Sequence, residues 1–187
     1  TFLTKAQIIA GGELWGGPEP FWQPPLYIYL LAFICWLFPL SHFVAIRLVH
    51  AGLGALSCVL VYALARRAFG EQVGRIAGGI AALCGSFLYF EGELLAVPVE
   101  IFLNLLLLHR LLLALERHRT RDWILSGLIT GLAALARPNI LLFTAFFCGW
   151  LFWRRRDSGT APRRALLSLL IPAALVILPI TWRNWAT

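Results

Sequence analysis

Phe43-Val-Ala-Ile-Arg-Leu-Val-His-Ala-Gly-Leu-Gly-Ala-Leu-Ser-Cys-Val-Leu-Val-Tyr-Ala-Leu-Ala65, closed by Arg66-Arg67, is the stretch on which the fold turns. It carries a single charge, Arg47, and its length suffices to cross a bilayer. About 20 apolar residues in a helix span a hydrocarbon core about 30 Å thick. Working outward, runs of the same kind fill the chain: Pro24–Leu40, Ile76–Phe90, Leu94–Leu115, Trp123–Ala136, Pro138–Trp153 and Ala165–Trp182. Of 187 residues, 60% are hydrophobic and 13% charged, and the mean hydropathy is +0.79. A soluble domain is about 45–50% apolar and about 25% charged. A water-soluble globule cannot hide this much apolar surface, and a disordered chain would not contain it. The net charge of +7 does not indicate a nucleic-acid partner, because the arginines sit between apolar runs rather than along one polar face. The expected fold class is all-α: a polytopic, multi-pass membrane helical bundle.

Basic residues set the orientation. Arg66, Arg67 and Arg75 form one cluster, Arg110, Arg117, Arg119 and Arg121 a second, and Arg154, Arg155, Arg156, Arg163 and Arg164 a third. Together they hold 12 of the 16 Lys and Arg, and the positive-inside rule makes these three loops cytoplasmic. The external side then receives Glu91, Glu93 and Glu100, the tight turn Arg137-Pro138-Asn139, and Arg183-Asn184. Pro24–Leu40 opens on two prolines, and its helical part before Pro39 is about 14 residues, roughly 21 Å. With Trp22, Tyr27, Tyr29 and Trp36 in or beside it, this run reads as an interfacial helix rather than a span. Residues 1–42 are therefore expected to form an external segment with a juxtamembrane helix, and 43–187 about six spanning helices. The two arms of Trp123–Trp153 are only about 14–16 residues each, so their arginine turn should sit recessed below the outer surface. The start at Thr1, the lack of any Met and the end just after an apolar run read as a fragment whose first helix and C-terminal part lie outside it. No cleavable signal pattern is present.

Most chemistry-bearing residues have plain readings. Cys35, Cys58, Cys84 and Cys148 lie in apolar runs without CxxC spacing, and His42, His50, His109 and His118 form no HxxxH or HExxH pattern. Gly52-Leu-Gly54 lies inside a span with no strand before it, so it reads as helix packing rather than a dinucleotide site. Gly74-xxx-Gly78 and Gly127-xxx-Gly131 read as small-residue packing faces. The cytoplasmic arginines are topological determinants first and anionic-lipid contacts second. Three features stand apart: Glu91-Gly-Glu93 with Glu100, Arg47 with His50 one turn into an external helix start, and Arg137 at membrane depth. Together they would ring an external cavity in which carboxylates activate a hydroxyl and arginines hold a phosphate.

The order of motifs resembles the GT-C glycosyltransferases, and within them the dolichyl-phosphate-mannose-protein mannosyltransferase-like group that includes the aminoarabinose transferases. Phe21-Trp-Gln-Pro-Pro-Leu-Tyr-Ile-Tyr-Leu-Leu-Ala-Phe33 is similar to the PPLY segment, and Ala45-Ile-Arg-Leu48 to "aRl" at the head of a spanning helix. Leu64-Ala-Arg-Arg-Ala-Phe-Gly70 resembles the "RRLFG" cytoplasmic turn, and Phe90-Glu-Gly-Glu-Leu-Leu95 an acidic external loop. Gly127-Leu-Ile-Thr-Gly-Leu-Ala-Ala-Leu-Ala-Arg-Pro138 resembles "GLxxGLAxLxRP", and Leu178-Pro-Ile-Thr-Trp-Arg-Asn184 "LPxxxRN".

This resemblance implies a membrane glycosyltransferase that moves a hexose or pentose from a polyprenyl-phosphate carrier to a protein, lipid or glycan hydroxyl on the external face, with inversion. Such work belongs to cell-envelope or protein glycosylation, and the expected location is a bacterial inner or plasma membrane. The family's general-base aspartate has no counterpart here and is expected before Thr1; the only acids in residues 1–23 are Glu13 and Glu19. Aminoarabinose transferases carry Glu-Lys before the proline pair, where this chain has Trp22-Gln23. Arg47, Arg137, Gln23, Tyr27 and Tyr29 are the expected donor-phosphate and carrier contacts. Glu91 and Glu93 are the expected supporting acids, orienting hydroxyls or holding a divalent metal; no cofactor is otherwise called for. The alternative classes are a transporter or flippase of lipid-linked sugars, and a non-catalytic scaffold of the same fold.

Overall fold

The structure, a computed structural model, describes residues 2–13, 15–16, 21–85, 89, 92–156 and 162–186. Among them are helices α1 (Phe2–Ala10), α2 (Pro25–Leu37), α3 (His42–Phe69), α4 (Glu71–Ala82), α5 (Val97–Arg117), α6 (Thr120–Ala136), α7 (Ile140–Arg156) and α8 (Pro162–Ala186), and no strand. The all-α membrane bundle expected from the sequence is what forms. By length and composition, α3, α5 and Arg163–Trp185 of α8 are long and apolar enough to cross a membrane. The remaining members of the expected six, α4, α6 and α7, have 12, 17 and 17 residues. Seventeen residues make about 26 Å of helix, in keeping with the shortened arms inferred for the arginine turn.

Local chemistry places the helix ends. Gly70, at φ 94°, closes α3 by turning the chain where a side chain would be strained, and its N–H still reaches the Arg66 carbonyl at 2.9 Å. His118 closes α5 in the left-handed region at φ 53°, the only described non-glycine residue with positive φ. Arg137 ends α6 in an extended conformation, φ −157° and ψ 116°, because the ring of Pro138 disfavours a helical predecessor. Polar groups inside the helices bond back to their own backbone. Ser126 Oγ donates to the Asp122 carbonyl and Thr130 Oγ1 to the Ser126 carbonyl, both at 2.8 Å. Such back-bonding satisfies hydroxyls that lipid cannot.

Packing register shows the direction of each helix. Gly74 and Gly78 of α4 lie against Arg66 and then Tyr62 of α3, so these two run antiparallel. Gly127 of α6 lies against Leu169 of α8, and Gly131 against Ala173 and Val176, so α6 and α8 run parallel with α7 returning between them. Arg67 at the end of α3 pairs with Glu116 at the end of α5 at 3.0 Å, which makes those two parallel as well. The up-and-down order thus runs from α3 to α8, and both small-xxx-small pairs are contact faces.

Two clusters of buried apolar residues mark the two ends. One joins Leu111 and Ala114 of α5, Trp123 of α6, Leu151 of α7 and Ala165 of α8, and lies near the arginine-rich turns. The other joins Ile46 of α3, Val99 and Leu103 of α5, and Ala133 and Ala136 of α6 to the helices α1 and α2. Helix α2 buries Tyr27, Ile28, Leu31 and Ile34 on the bundle and leaves Phe33, Trp36 and Leu37 exposed. An aromatic face of that kind suits a helix at a membrane–water boundary.

Candidate active site at the arginine-poor end

Four segments meet beside α2: residues 21–25, the end of α6 with its turn, the start of α7, and the last turns of α8. They line an open groove of about 490 Å³. Gln23, Arg137, Thr181 and Asn184 provide its polar groups, while Trp22, Pro25, Leu141, Ile177 and Ile180 make the rest largely apolar. A groove with one strong cation and an apolar lining can take an amphiphile whose anionic head is attached to a hydrocarbon tail.

Arg137 is anchored but not hidden. Its Nη1 donates to both carboxylate oxygens of Glu100, at 3.2 and 3.0 Å. The Arg137 side chain is 59% exposed and that of Glu100 20%. An ion pair this exposed is worth about 0–1 kcal/mol. A phosphate, which an arginine fork recognises well, can therefore compete for the guanidinium at little cost.

The wall carrying Gln23 is held by α8. Asn184 Oδ1 accepts the Phe21 backbone N–H at 3.1 Å and Arg183 Nη1 at 3.3 Å. The Arg183 guanidinium, buried at 6% exposure, lies 4.3 Å from the centre of the Phe21 ring. A desolvated cation–π contact contributes up to about 2 kcal/mol. The chain just before the two prolines is thus fixed by both its backbone and its side chain.

Of the residues expected in the site, the structure brings Gln23 and Arg137 into this groove. Tyr29 stands behind the groove wall, its ring 5.8 Å from that of Phe21. Burial raises its phenol pKa, and the nearby Arg183 charge acts in the opposite sense. Tyr27 is fully buried, and its hydroxyl lies 3.4 Å from His50 Nε2. Burial pushes the Tyr27 phenol far above its ordinary range. His50 therefore packs on α2, whereas Arg47 is exposed on α3 and does not line the groove. Glu93 is exposed in the bend before α5, also away from the groove, and Glu91 lies outside the described residues. Among the described residues no group of three His, Cys, Asp or Glu is placed to hold a metal ion, so Glu93 has no set of fellow ligands there.

The sequence groups Glu100 with Glu91 and Glu93 around an external cavity but does not name its pairing with Arg137, and it gives Arg183-Asn184 an external position without a site role. Glu100 is 37 positions from Arg137, and Asn184 is 163 from Phe21. Only the "LPxxxRN" motif hinted at the second pair.

Comparison with curated proteins and with solved structures gave no match. Residues 22–182 match the family model described as dolichyl-phosphate-mannose-protein mannosyltransferase, which covers α2 to α7, most of α8 and all of the groove lining except Phe21 and Asn184. The chain therefore belongs to the dolichyl-phosphate-mannose-protein mannosyltransferase family, membrane-embedded glycosyltransferases of the GT-C type.

Proposed function

We propose that the groove between Gln23 and Arg137 receives the phosphate end of a polyprenyl-phosphate sugar on the external face of the membrane, and that the sugar passes to an acceptor hydroxyl with inversion. The observation that carries this reading is an accessible, anchored arginine beside an apolar lining at the end of the bundle opposite the arginine-rich turns. The positive-inside rule puts that end outside.

In this reaction the acceptor oxygen attacks the anomeric carbon. The bond from that carbon to the phosphate oxygen breaks, and its electron pair leaves with the lipid phosphate. Arg137 stabilises the charge that grows there, and Gln23 hydrogen-bonds the carrier head. The hydroxyl proton goes to a carboxylate base, a role that the family resemblance implies for an aspartate of an external loop. Glu93 and Glu91 orient acceptor or sugar hydroxyls, Arg47 adds positive potential near the external start of α3, and Tyr27 and Tyr29 shape the segment that presents Gln23.

The test is Arg137→Gln in the full-length enzyme, assayed with membranes and a labelled polyprenyl-phosphate sugar. Removing one preorganised donor to a developing anion typically costs about 100-fold or more in rate. A loss of at least tenfold at normal expression is the expected outcome, with a smaller one for Glu93→Gln. Unaltered turnover in Arg137→Gln would remove the role assigned to it.

A further inference from the structure

A second groove lies at the opposite end of the bundle, between the first turns of α6 and α8. It measures about 540 Å³ and is lined by Ile124, Arg163, Arg164, Leu167, Ser168, Ile171 and Pro172. Along α8 the lining changes character with depth. Two guanidiniums stand at the helix start, and Leu167 and Ile171 follow one and two turns further in. Ile124, Leu167 and Ile171 are 39%, 56% and 53% exposed, so the apolar part is left open. Among the described residues no acidic one lines it.

We propose that this groove binds an acidic phospholipid from the cytoplasmic leaflet, its phosphate held by Arg163 and Arg164 and an acyl chain lying along Ile124, Leu167 and Ile171. Charge complementarity selects the acidic headgroup, since the groove offers two cations and, among the described residues that line it, no counter-charge. Basic pockets between membrane helices on the cytoplasmic side recognise anionic lipid heads in this way. The apolar trough selects a lipid over a free phosphate, which would leave that surface uncovered. The site is distinct from the Gln23–Arg137 groove and does not depend on its assignment.

Native mass spectrometry of the purified full chain in neutral detergent tests this, with phosphatidylglycerol and phosphatidylcholine of identical acyl chains as probes. The expected result is preferential retention of phosphatidylglycerol, weakened about tenfold in Arg163→Gln/Arg164→Gln. Arg75→Gln/Arg117→Gln, which removes the same charge from other turns, should retain the lipid. Leu167→Asn, which keeps both arginines, should also weaken it, and glycerol phosphate should fail to compete. Equal retention of the two lipids would overturn the proposal. So would equal loss in the two double variants, unchanged binding in Arg163→Gln/Arg164→Gln, or competition by glycerol phosphate at lipid-like concentration. Matched melting temperatures separate lost binding from lost folding.

Discussion

Arg137 and Arg183 stand at the same end of the bundle in opposite states. Arg183 is 6% exposed and held against Phe21 and Asn184, whereas the Arg137 side chain is 59% exposed on Glu100. A buried charge without its partners is costly, so Arg183 belongs to the framework, while Arg137 is the exposed cation of the groove and the one proposed to meet a ligand. Asn184→Ala deprives the Phe21 N–H of its acceptor and should lower stability by about 1–2 kcal/mol. Arg137→Gln should change it by no more than about 1 kcal/mol. Thermal unfolding in detergent distinguishes the two. Tyr27 supplies a pH signature. Because burial raises its phenol pKa, folding retains a proton that the unfolded chain releases above pH of about 10. Its contribution is intact below that pH and is lost as pH rises beyond it. Tyr27→Phe should therefore flatten the alkaline decline in melting temperature.

At the scale of helices, glycines decide which faces meet. A Cβ on Gly127 would collide with the backbone carbonyl of Leu169, and one on Gly131 would fall 2.6 Å from Val176 Cβ. Gly149 of α7 has nothing within 4 Å. In an exposed helix interior Gly→Ala stabilises by about 0.5–1 kcal/mol, but overpacking a close contact costs about 1–3 kcal/mol. Gly149→Ala should thus raise the melting temperature and Gly127→Ala lower it, the second by separating α6 from α8. The same comparison shows how a glycine spacing that is degenerate in sequence acquires meaning. Nothing in Gly127-xxx-Gly131 names α8 as the partner, because the partner lies some forty positions away and is chosen by how the helices assemble.

For the molecule as a whole, charge is divided between two ends. Arg66, Arg67, Arg117, Arg163 and Arg164 gather at one, and Lys5, Arg137 and Arg183 at the other. Single cysteines introduced for Leu40 and for Arg75, in a background with Cys35, Cys58, Cys84 and Cys148 replaced, test the orientation. An impermeant thiol reagent should label Leu40→Cys in intact cells and Arg75→Cys only after the membrane is opened. The reverse pattern would place the Arg137 groove on the cytosolic side and end the external-transfer reading.

The apolar runs, their arginine punctuation and the family's ordered motifs were legible along the chain, because each depends on neighbours within one or two helical turns. They determined a helical membrane protein and its family. The pairing of Arg137 with Glu100, the pinning of Phe21 by Arg183 and Asn184, and the burial of Tyr27 on His50 were decided by tertiary structure alone. So was the separation of Arg47 and Glu93 from the groove. Local sequence sets which residues lie on a helix, but which of its faces meets another helix depends on packing between segments far apart in the chain.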